Sequence, residues 1–207
     1  MKLHLKMKLL IIGGVKQMDE NKRYTDQRIG ENEQMEREAI MHFFPMAEIE
    51  KVTDRELQYK GVDYIVHLGK RKAYIDTKVH HYDSNYFVYE CFDTRPNYKN
   101  YGWTNPNTEH LTNYIIYIVP AMKKAFLYSY YSIMEFQKDD AFKYADFIET
   151  KRPNGTTYNK VFKTDFIPHQ ECDVIVPEDV EIKKSFIKAN STDSLDVAFK
   201  IFSKSLA

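Results

Sequence analysis

The stretch over residues 61–78 constrains the fold of this chain more than any other. It contains two runs rich in Val, Ile, Tyr and Thr, separated by Gly69 and Lys70. β-Branched and aromatic residues favour strands, and a glycine in the first loop position favours a two-residue type II′ turn. The pattern therefore predicts a β-hairpin whose two loop residues are Gly69 and Lys70.

This turn also predicts which residues face each other. With Leu68 opposite Arg71 as the first pair, counting outward places Asp63 directly opposite Asp76. Directly opposed residues share one face of a sheet, and the two-residue period of a strand puts Lys78 on the same face as Asp76. The sequence thus predicts that Asp63, Asp76 and Lys78 converge at one spot.

Two carboxylates that face each other across a strand pair repel, and they destabilise the sheet unless positive charge lies between them. A divalent cation would supply that charge, and ligation by carboxylate and water oxygens is what Mg²⁺ prefers. The alternative is an ordinary hairpin end, where Asp63, Asp76 and Lys78 are solvated or paired with one another. The paired register and the apolar strands shift the balance modestly toward the functional interpretation, and both interpretations stay open.

A helix is predicted ahead of the hairpin, over residues 31–44. Ile40 and Phe43 belong to an apolar stripe at helical spacing, and Glu36 lies one turn before Ile40 on that face. A carboxylate directed inward without a partner is costly to bury. Glu36 is therefore either a functional acid or a first-turn charge stabilised by the helix dipole, and Glu33 stays open as an alternative.

The rest of the chain predicts a layered α/β or α+β fold. Residues 86–92 are apolar on both faces and predict a central strand, interrupted by Glu90, which either leans into the acidic cluster or ends the strand. The further elements are a strand at 113–119 ended by Pro120, a strand at 125–131, a helix from a capping box at 132–135, two extended stretches within 161–176 and a helix at 194–203.

Two neighbouring histidines follow the second hairpin strand. Because His80 and His81 are adjacent, they point to opposite faces and do not chelate a metal together. His80 shares the face of Asp76 and could touch a phosphate, but the favoured prediction for His80 is a surface residue. Trp103, in a Pro- and Asn-rich loop, is either a substrate contact or an anchor packed onto the core.

Composition limits the classes of partner and location. Thirty Lys and Arg offset thirty Asp and Glu among 207 residues, so nucleic-acid binding would have to depend on local patches. Two cysteines give no disulfide framework, and the apolar run at 9–12 is too short to span a membrane. We expect a cytoplasmic protein. Residues 1–20 are predicted to form a tail or an edge strand, with Met18 as an alternative start, and residues 21–207 are predicted to form one domain.

The order of these acidic residues resembles that of a known superfamily. With Glu36 on a helix, Asp63 on a first strand and Asp76-Thr77-Lys78 on a second, the chain resembles the PD-(D/E)XK nucleases, the restriction-endonuclease-like phosphodiesterases. The resemblance covers about residues 26–120. The segment 36–43 resembles the first helix of junction-resolving members, and Gly61-Val62-Asp63 is similar to their G-x-D motif. The segment 113–119, which follows Gly102-Trp103, resembles a later strand of phage-type members.

The resemblance implies a fold and an activity. The fold is an αβββαβ core, a mixed central sheet flanked by helices, with an elaboration at 121–207. Asp63, Asp76 and Glu36 would hold one or two Mg²⁺, or Mn²⁺ in its place, with the backbone carbonyl of Thr77 as a further ligand. Lys78 would orient or deprotonate the water that attacks a DNA phosphodiester. By analogy with related folds, a homodimer is also an expectation.

A second hypothesis comes from a different class. A non-catalytic binding or accessory protein of a mobile element, built on the same nuclease fold, would also carry these motifs. The intact acids and lysine favour catalysis, whereas the balanced net charge favours the binding protein.

Overall fold

A six-stranded mixed sheet organises the part of the chain that this computed structural model describes, residues 30–93, 109–145, 148–152 and 155–184. In chain order the elements are α1 (30–43), β1 (Glu48–Lys51), α2 (Arg55–Tyr59), β2 (Tyr64–Leu68), β3 (Arg71–Val79), β4 (Tyr82–Asp83), β5 (Tyr86–Asp93), β6 (Tyr114–Val119), β7 (Lys124–Ser129), α3 (Tyr130–Phe136), α4 (Asp140–Tyr144), β8 (Ile148–Arg152), β9 (Gly155–Lys163), β10 (His169–Asp173) and β11 (Lys183–Lys184). The expectations for the tail at 1–20, for Trp103 and for a helix at 194–203 fall outside the described residues.

The main sheet has the strand order β1-β2-β3-β6-β7-β10. Only β3 and β6 pair in parallel among these strands, and every other neighbouring pair is antiparallel. A parallel pair needs a long crossover connection, which here includes β4 and β5. The prediction of a mixed sheet with helices is confirmed at this level, and none of the described helices is long and apolar enough to cross a bilayer.

The predicted hairpin is confirmed as β2 and β3. Leu68 pairs with Arg71 and Tyr64 pairs with Ile75, so the register is the predicted one. Gly69 has a φ of 63°, whereas Lys70 does not have a positive φ. This combination is the one that a type II′ turn requires, and it explains why glycine stands in the first loop position.

Alternation along the strands gives the sheet two different buried faces. One face packs against α1 and contains Tyr64, Val66, Ile75, Ile116 and Ile118, which contact Met35, Ala39 and Ile40 of the helix. The other face is rich in aromatic residues and packs against α3 and a second, three-stranded sheet of order β5-β9-β8. The sheet is therefore the middle layer of three.

The prediction that residues 86–92 form a central strand is wrong. These residues do form β5, but β5 is an edge of the three-stranded sheet and pairs only with β9 there. Phe87 and Tyr89 are buried because they pack on the aromatic face of the main sheet. An edge strand that is covered by another layer is as apolar as a central one, so the apolar run did not distinguish the two.

The predicted capping box at 132–135 is also not the start of a helix. α3 begins at Tyr130, directly after β7, and its N-cap Ser129 makes no side-chain capping bond. Glu135 instead pairs with Lys138 on the surface, at a distance of 2.6 Å. The helix begins early because Ile133 is buried in the aromatic core, and packing outweighs the local capping signal.

His80 and His81 are buried, with 7 % and 5 % of their surface exposed, so the prediction of His80 as a surface residue is wrong. The Nε2 atom of His80 lies 2.7 Å from Oγ of Ser84, and Nε2 of His81 lies 2.9 Å from Oδ1 of Asn32 in α1. Burial lowers the pKa of His80 to about 4, so its ring is neutral at pH 7. Both histidines are buried at the end of β3, where hydrogen bonds satisfy their polar atoms.

Replacing Ile116 by alanine tests the layered core. Ile116 of β6 is completely buried in the core that faces α1, so Ile116→Ala should lower the free energy of unfolding by about 2–5 kcal/mol through lost burial and a residual cavity. Urea unfolding monitored by circular dichroism measures the change. The control is Ile175→Ala, at a side chain that is 69 % exposed, which should shift stability by less than about 0.5 kcal/mol. Equal effects of the two variants would contradict this core.

Candidate active site

The hairpin places three ionisable side chains on the sheet face that does not contact α1. Ile75 faces α1, so its neighbour Asp76 and, two residues later, Lys78 face the other way. Asp63 immediately precedes β2, and its backbone amide donates at 2.8 Å to the carbonyl of Ile75, the residue that pairs with Tyr64. The structure therefore brings Asp63, Asp76 and Lys78 together at the open end of the hairpin.

The carboxylate of Asp63 is held in place by Thr77. The Thr77 amide donates to Oδ2 of Asp63 at 2.9 Å, and the Thr77 hydroxyl donates to the same oxygen at 3.2 Å. β3 continues beyond Ile75, the partner of the first residue of β2, so the Thr77 amide has no backbone acceptor in β2. The Asp63 carboxylate accepts its hydrogen bond instead. The two bonds orient the acid and set its distance from Asp76.

Asp76 is the most perturbed acid of the group. It is 3 % exposed and forms an ion pair with Nζ of Lys78. Burial, together with the charge and hydrogen bond of Asp63, outweighs Lys78 and raises the pKa of Asp76 from 3.8 to about 7. Because the folded state binds this proton more tightly, the contribution of Asp76 to the free energy of unfolding falls as pH rises from about 4 to about 7.

Lys78 remains a cation in this setting. Burial acts to lower its pKa, but the charges of Asp76, Asp63 and Glu90 together outweigh burial, so the pKa of Lys78 is raised. Its side chain keeps 35 % of its surface exposed, so the ammonium group can meet a ligand. Glu90 of β5 is near enough to act on this charge, which favours the expectation that it leans into the cluster. Lys78 is therefore a hydrogen-bond donor at neutral pH.

The structure does not bring Glu36 to this cluster. α1 packs on the opposite face of the sheet, and the Tyr64 hydroxyl donates to Oε2 of Glu36 at 2.8 Å. Glu33, the alternative helix acid, pairs with Lys51 and with Nε of Arg37, the latter at 3.1 Å. Both glutamates are engaged by partners on the α1 side, so the acids that share a face with Lys78 come from the strands.

Two residues beside the cluster carried no recognisable sequence signal. Burial, and secondarily the charge of Asp76, raises the pKa of Tyr130 to about 12. The ring of His110 lies 5.5 Å from the ring of Tyr130, centroid to centroid. Burial lowers the pKa of His110, the backbone of Lys60 partly offsets this, and the charge of Lys78 lowers it further. Neither residue lies near the hairpin in sequence, so only the tertiary structure reveals them.

The donor set of the cluster suits a hard cation that keeps water in its coordination sphere. Across the described ranges no three His, Cys, Asp or Glu side chains are grouped as a metal site. Asp63 and Asp76 nevertheless supply two adjacent carboxylates, and the charge of Asp63 adds to burial, the larger cause, in raising the pKa of Asp76. Mg²⁺ is commonly bound by one or two carboxylates, with waters and substrate phosphates completing the octahedron. The two acids fit this mode of binding.

Gly61, two residues before Asp63, is required by a close approach of the chain. It has a φ of +75°, and a Cβ atom there would lie 2.7 Å from Oγ1 of Thr112 and 3.0 Å from Nδ1 of His110. The Thr112 hydroxyl donates to the Gly61 carbonyl. The glycine of the G-x-D motif thus lets the segment before β6 pack against the entry to β2.

Comparison of the chain with family models, curated proteins and solved structures finds no match. No family is assigned to the chain on that basis, and the chemistry of Asp63, Asp76 and Lys78 is what points to a function.

The mutual repulsion of the acids can be measured directly. Asp63→Asn keeps an oxygen to accept from Thr77 but removes the neighbouring charge, so the pKa of Asp76 should fall while burial still holds it above 3.8. The ¹³Cγ chemical shift of Asp76, followed against pH, reports this value. Asp173→Asn is the matched control, since Asp173 is 89 % exposed and pairs with Lys124. An Asp76 titration that is the same in both variants would contradict the described pair.

Replacing Gly61 by alanine should be more damaging than the same change at Gly69. Both residues have positive φ, which costs an alanine about 1–2 kcal/mol, but only Gly61 has neighbours where the new methyl group would stand. We therefore expect Gly61→Ala to lower the free energy of unfolding by about 2–4 kcal/mol and Gly69→Ala by about 1–2 kcal/mol. Denaturant unfolding of both variants gives the comparison, and equal losses would argue against the close approach of Thr112 and His110.

Proposed function

We propose that this chain is a divalent-cation-dependent nuclease that hydrolyses phosphodiester bonds in DNA in the cytoplasm. The observation that supports the proposal most is the juxtaposition of Asp63, Asp76 and Lys78 at the open end of one hairpin. A pair of carboxylates that repel each other attracts a cation, and an ammonium group beside them attracts an anion. A phosphate ester bound through a metal ion satisfies both requirements.

Each residue has a distinct role in this proposal. Asp63 and Asp76 would hold Mg²⁺, or Mn²⁺ in its place, with the Thr77 carbonyl as a further ligand. The bound cation would lower the pKa of water and offset charge on the phosphate. Lys78 donates a hydrogen bond to the attacking water or to a phosphate oxygen, and its raised pKa makes this role better suited to it than that of a base. Asp63 is preorganised for ligation by its bonds to Thr77.

A restriction-endonuclease-like core is part of the proposal. The order of helix, hairpin and later strand supports this part of the proposal, and so does the position of the two aspartates and the lysine at one hairpin. The place of Glu36 on the other face departs from the superfamily pattern, which would leave two carboxylates and water to hold the ion. The exposed cations Lys70, Arg71 and Lys72 at the hairpin turn would contact the DNA backbone.

The second candidate is a non-catalytic binding or accessory protein on the same fold. Glu36 is bonded to Tyr64, and Asp63 is bonded to Thr77, so both acids have structural partners that need no catalysis to explain them. Balanced net charge is also less typical of a DNA enzyme. This candidate predicts binding of nucleic acid or protein with no turnover.

Cleavage of DNA by matched variants distinguishes the two candidates. We expect the wild type to cleave linear, nicked or branched DNA with Mg²⁺ or Mn²⁺ and to be inhibited by a chelator. Asp76→Asn and Lys78→Met should each reduce the rate by at least about 100-fold, because each removes charge stabilisation of the transition state. Asp173→Asn and Lys138→Met, at side chains 89 % and 72 % exposed, should cleave like the wild type.

Binding of the metal is measured separately by calorimetry with Mn²⁺. The wild type should bind, and Asp76→Asn should bind at least about tenfold more weakly, since one of two carboxylates is lost. Circular dichroism shows whether the variants are folded. Cleavage that persists in Asp76→Asn or without a divalent cation would refute the proposal, and DNA binding without cleavage would favour the second candidate.

A further inference from the structure

One face of β3 carries a line of polar side chains that extends from the acids to the hairpin turn. Alternation along the strand places Lys72, Tyr74, Asp76 and Lys78 on the face away from α1, whereas Ala73 faces the helix. Residues two apart on a strand are about 6.6 Å apart, so Tyr74 lies between Lys72 and the acids. This line continues the proposed site toward the turn.

Lys72 holds its charge over Tyr74, the residue between it and the acids. Its ammonium nitrogen lies 4.9 Å from the centroid of the Tyr74 ring. The residue is exposed, and within the described ranges it forms no ion pair. Glu50, which faces the same side from β1, is engaged instead by Nε2 of His67 at 3.0 Å. The positive charge of Lys72 is therefore available to a ligand.

Asn113, the residue before β6, adds a second hydrogen-bond donor beside Tyr74. Its backbone amide donates to the Tyr74 carbonyl at 2.9 Å, and the Tyr74 amide donates to Oδ1 of the Asn113 side chain at 2.8 Å. Because a backbone N–H only donates, the accepting atom is the side-chain oxygen, and Nδ2 carries the two hydrogens. Asn113 is exposed, so this NH₂ group can meet a ligand.

The start of β6 leaves space beside these two donors. β6 begins at Tyr114, opposite Ile75, so the part of β3 at 71–74 extends beyond it and has no described strand on that edge. Tyr74 itself is half-buried against Leu57 and Leu111. The tyrosine ring is thus a fixed support for Lys72, and a ligand would lie along the open edge.

The chemistry of the two donors limits what they can bind. An ammonium group and an amide NH₂ group donate and do not accept, so together they suit an anion rich in acceptor oxygens. An acidic peptide would be repelled by Asp63 and Asp76 close by. A DNA strand offers acceptor oxygens on every nucleotide and reaches the two acids through a bound cation.

We propose that Lys72 and Asn113 bind the phosphate backbone of the DNA strand beside the scissile phosphate, an inference that rests on the proposed DNA substrate. The strand runs along β3 from Asp76 toward the turn. Lys72 lies about 13 Å from Asp76 along β3, and DNA rises about 3.4 Å per nucleotide. The contacted phosphates therefore lie within about four nucleotides of the cleavage site, on one side of it.

The salt dependence of binding tests the contact of Lys72. Fluorescence anisotropy gives Kd for Asp76→Asn with Mg²⁺ and for the wild type with a chelator, two conditions in which the DNA is expected to stay intact. In both, Lys72→Gln should make the plot of log Kd against log salt concentration less steep by about 0.7–0.9, the contribution of one phosphate contact. Lys123→Gln is the control, at an exposed lysine between β6 and β7, and it should leave the slope unchanged. A slope that Lys72→Gln does not change would overturn the contact.

Asn113→Asp tests the second donor and preserves the bond to the strand. The new carboxylate still accepts from the Tyr74 amide, but it places a negative charge where Nδ2 donated. We expect DNA binding to be at least about tenfold weaker, because repulsion replaces a hydrogen bond to an anion. Gln170→Glu adds the same charge at an exposed residue of β10, the far edge strand of the main sheet, and should bind like its parent. Equal binding by these two variants would exclude the role of Asn113.

Single uncharged linkages locate the strand on the protein. A methylphosphonate removes the charge of one phosphate and can be placed at each position around the cleavage site. It should weaken binding by the wild type at a linkage within about four nucleotides, on one side only. The same linkage should matter little to Lys72→Gln, whose cation is already gone. Equal losses in the two proteins at every linkage would contradict the proposed path.

Failure of this interface is distinguishable from failure of the nuclease function. Cleavage by the wild type, with unchanged salt slopes in Lys72→Gln, would remove the interface and leave the nuclease function intact. DNA binding without cleavage would refute the nuclease function, and the salt slopes would then decide whether the interface stands. Absence of DNA binding would refute both.

Discussion

Repulsion between two acids that the backbone holds face to face is the constraint on which the site depends. The two-residue turn at Gly69 and Lys70 sets the register of β2 and β3, and the side chain of Asp63, just before β2, interacts with that of Asp76. Burial strengthens the repulsion, because the interaction between charges grows as water is removed. The ammonium group of Lys78 offsets part of this repulsion, and Asp76 relieves more of it by retaining a proton near neutral pH. A bound cation would offset the repulsion between the two carboxylates more completely.

The rest of the fold makes this arrangement rigid. β3 lies between β2 and β6, and its α1 side is packed with aliphatic residues such as Ile75. The aromatic layer of β5, β9 and α3 covers the other side, and Tyr128 and Phe87 are buried there. Asp76 and Lys78 thus extend from a strand that is fixed on both faces. Side chains on such a strand lose little freedom when a ligand binds, which favours preorganised electrostatics.

Local chemistry explains why part of this structure could be predicted from sequence. A glycine with positive φ specifies the hairpin turn, and the period of two then places Asp63, Asp76 and Lys78 on one face without reference to the rest of the chain. The strand of residues 114–119 was equally evident, since Pro120 ends a continuous β-branched and aromatic run.

Features that depend on distant contacts could not be predicted in this way. The sheet that β5 joins depends on β9, some 70 residues further along the chain. Glu36 faces Tyr64 because α1 packs on the side of the sheet away from the acids, and helical periodicity does not say which side of a sheet a helix covers. His110 lies against Gly61 only because its loop packs on the entry to β2. In each case the missing information was the packing of one layer on another.

Anomalous diffraction from crystals soaked in Mn²⁺ above pH 7, where Asp76 is ionised, tests the central claim most directly. The account predicts a manganese peak bonded to the carboxylates of Asp63 and Asp76, and its loss in crystals of Asp76→Asn. Manganese bound elsewhere on the protein, with no density between these two acids, would contradict it.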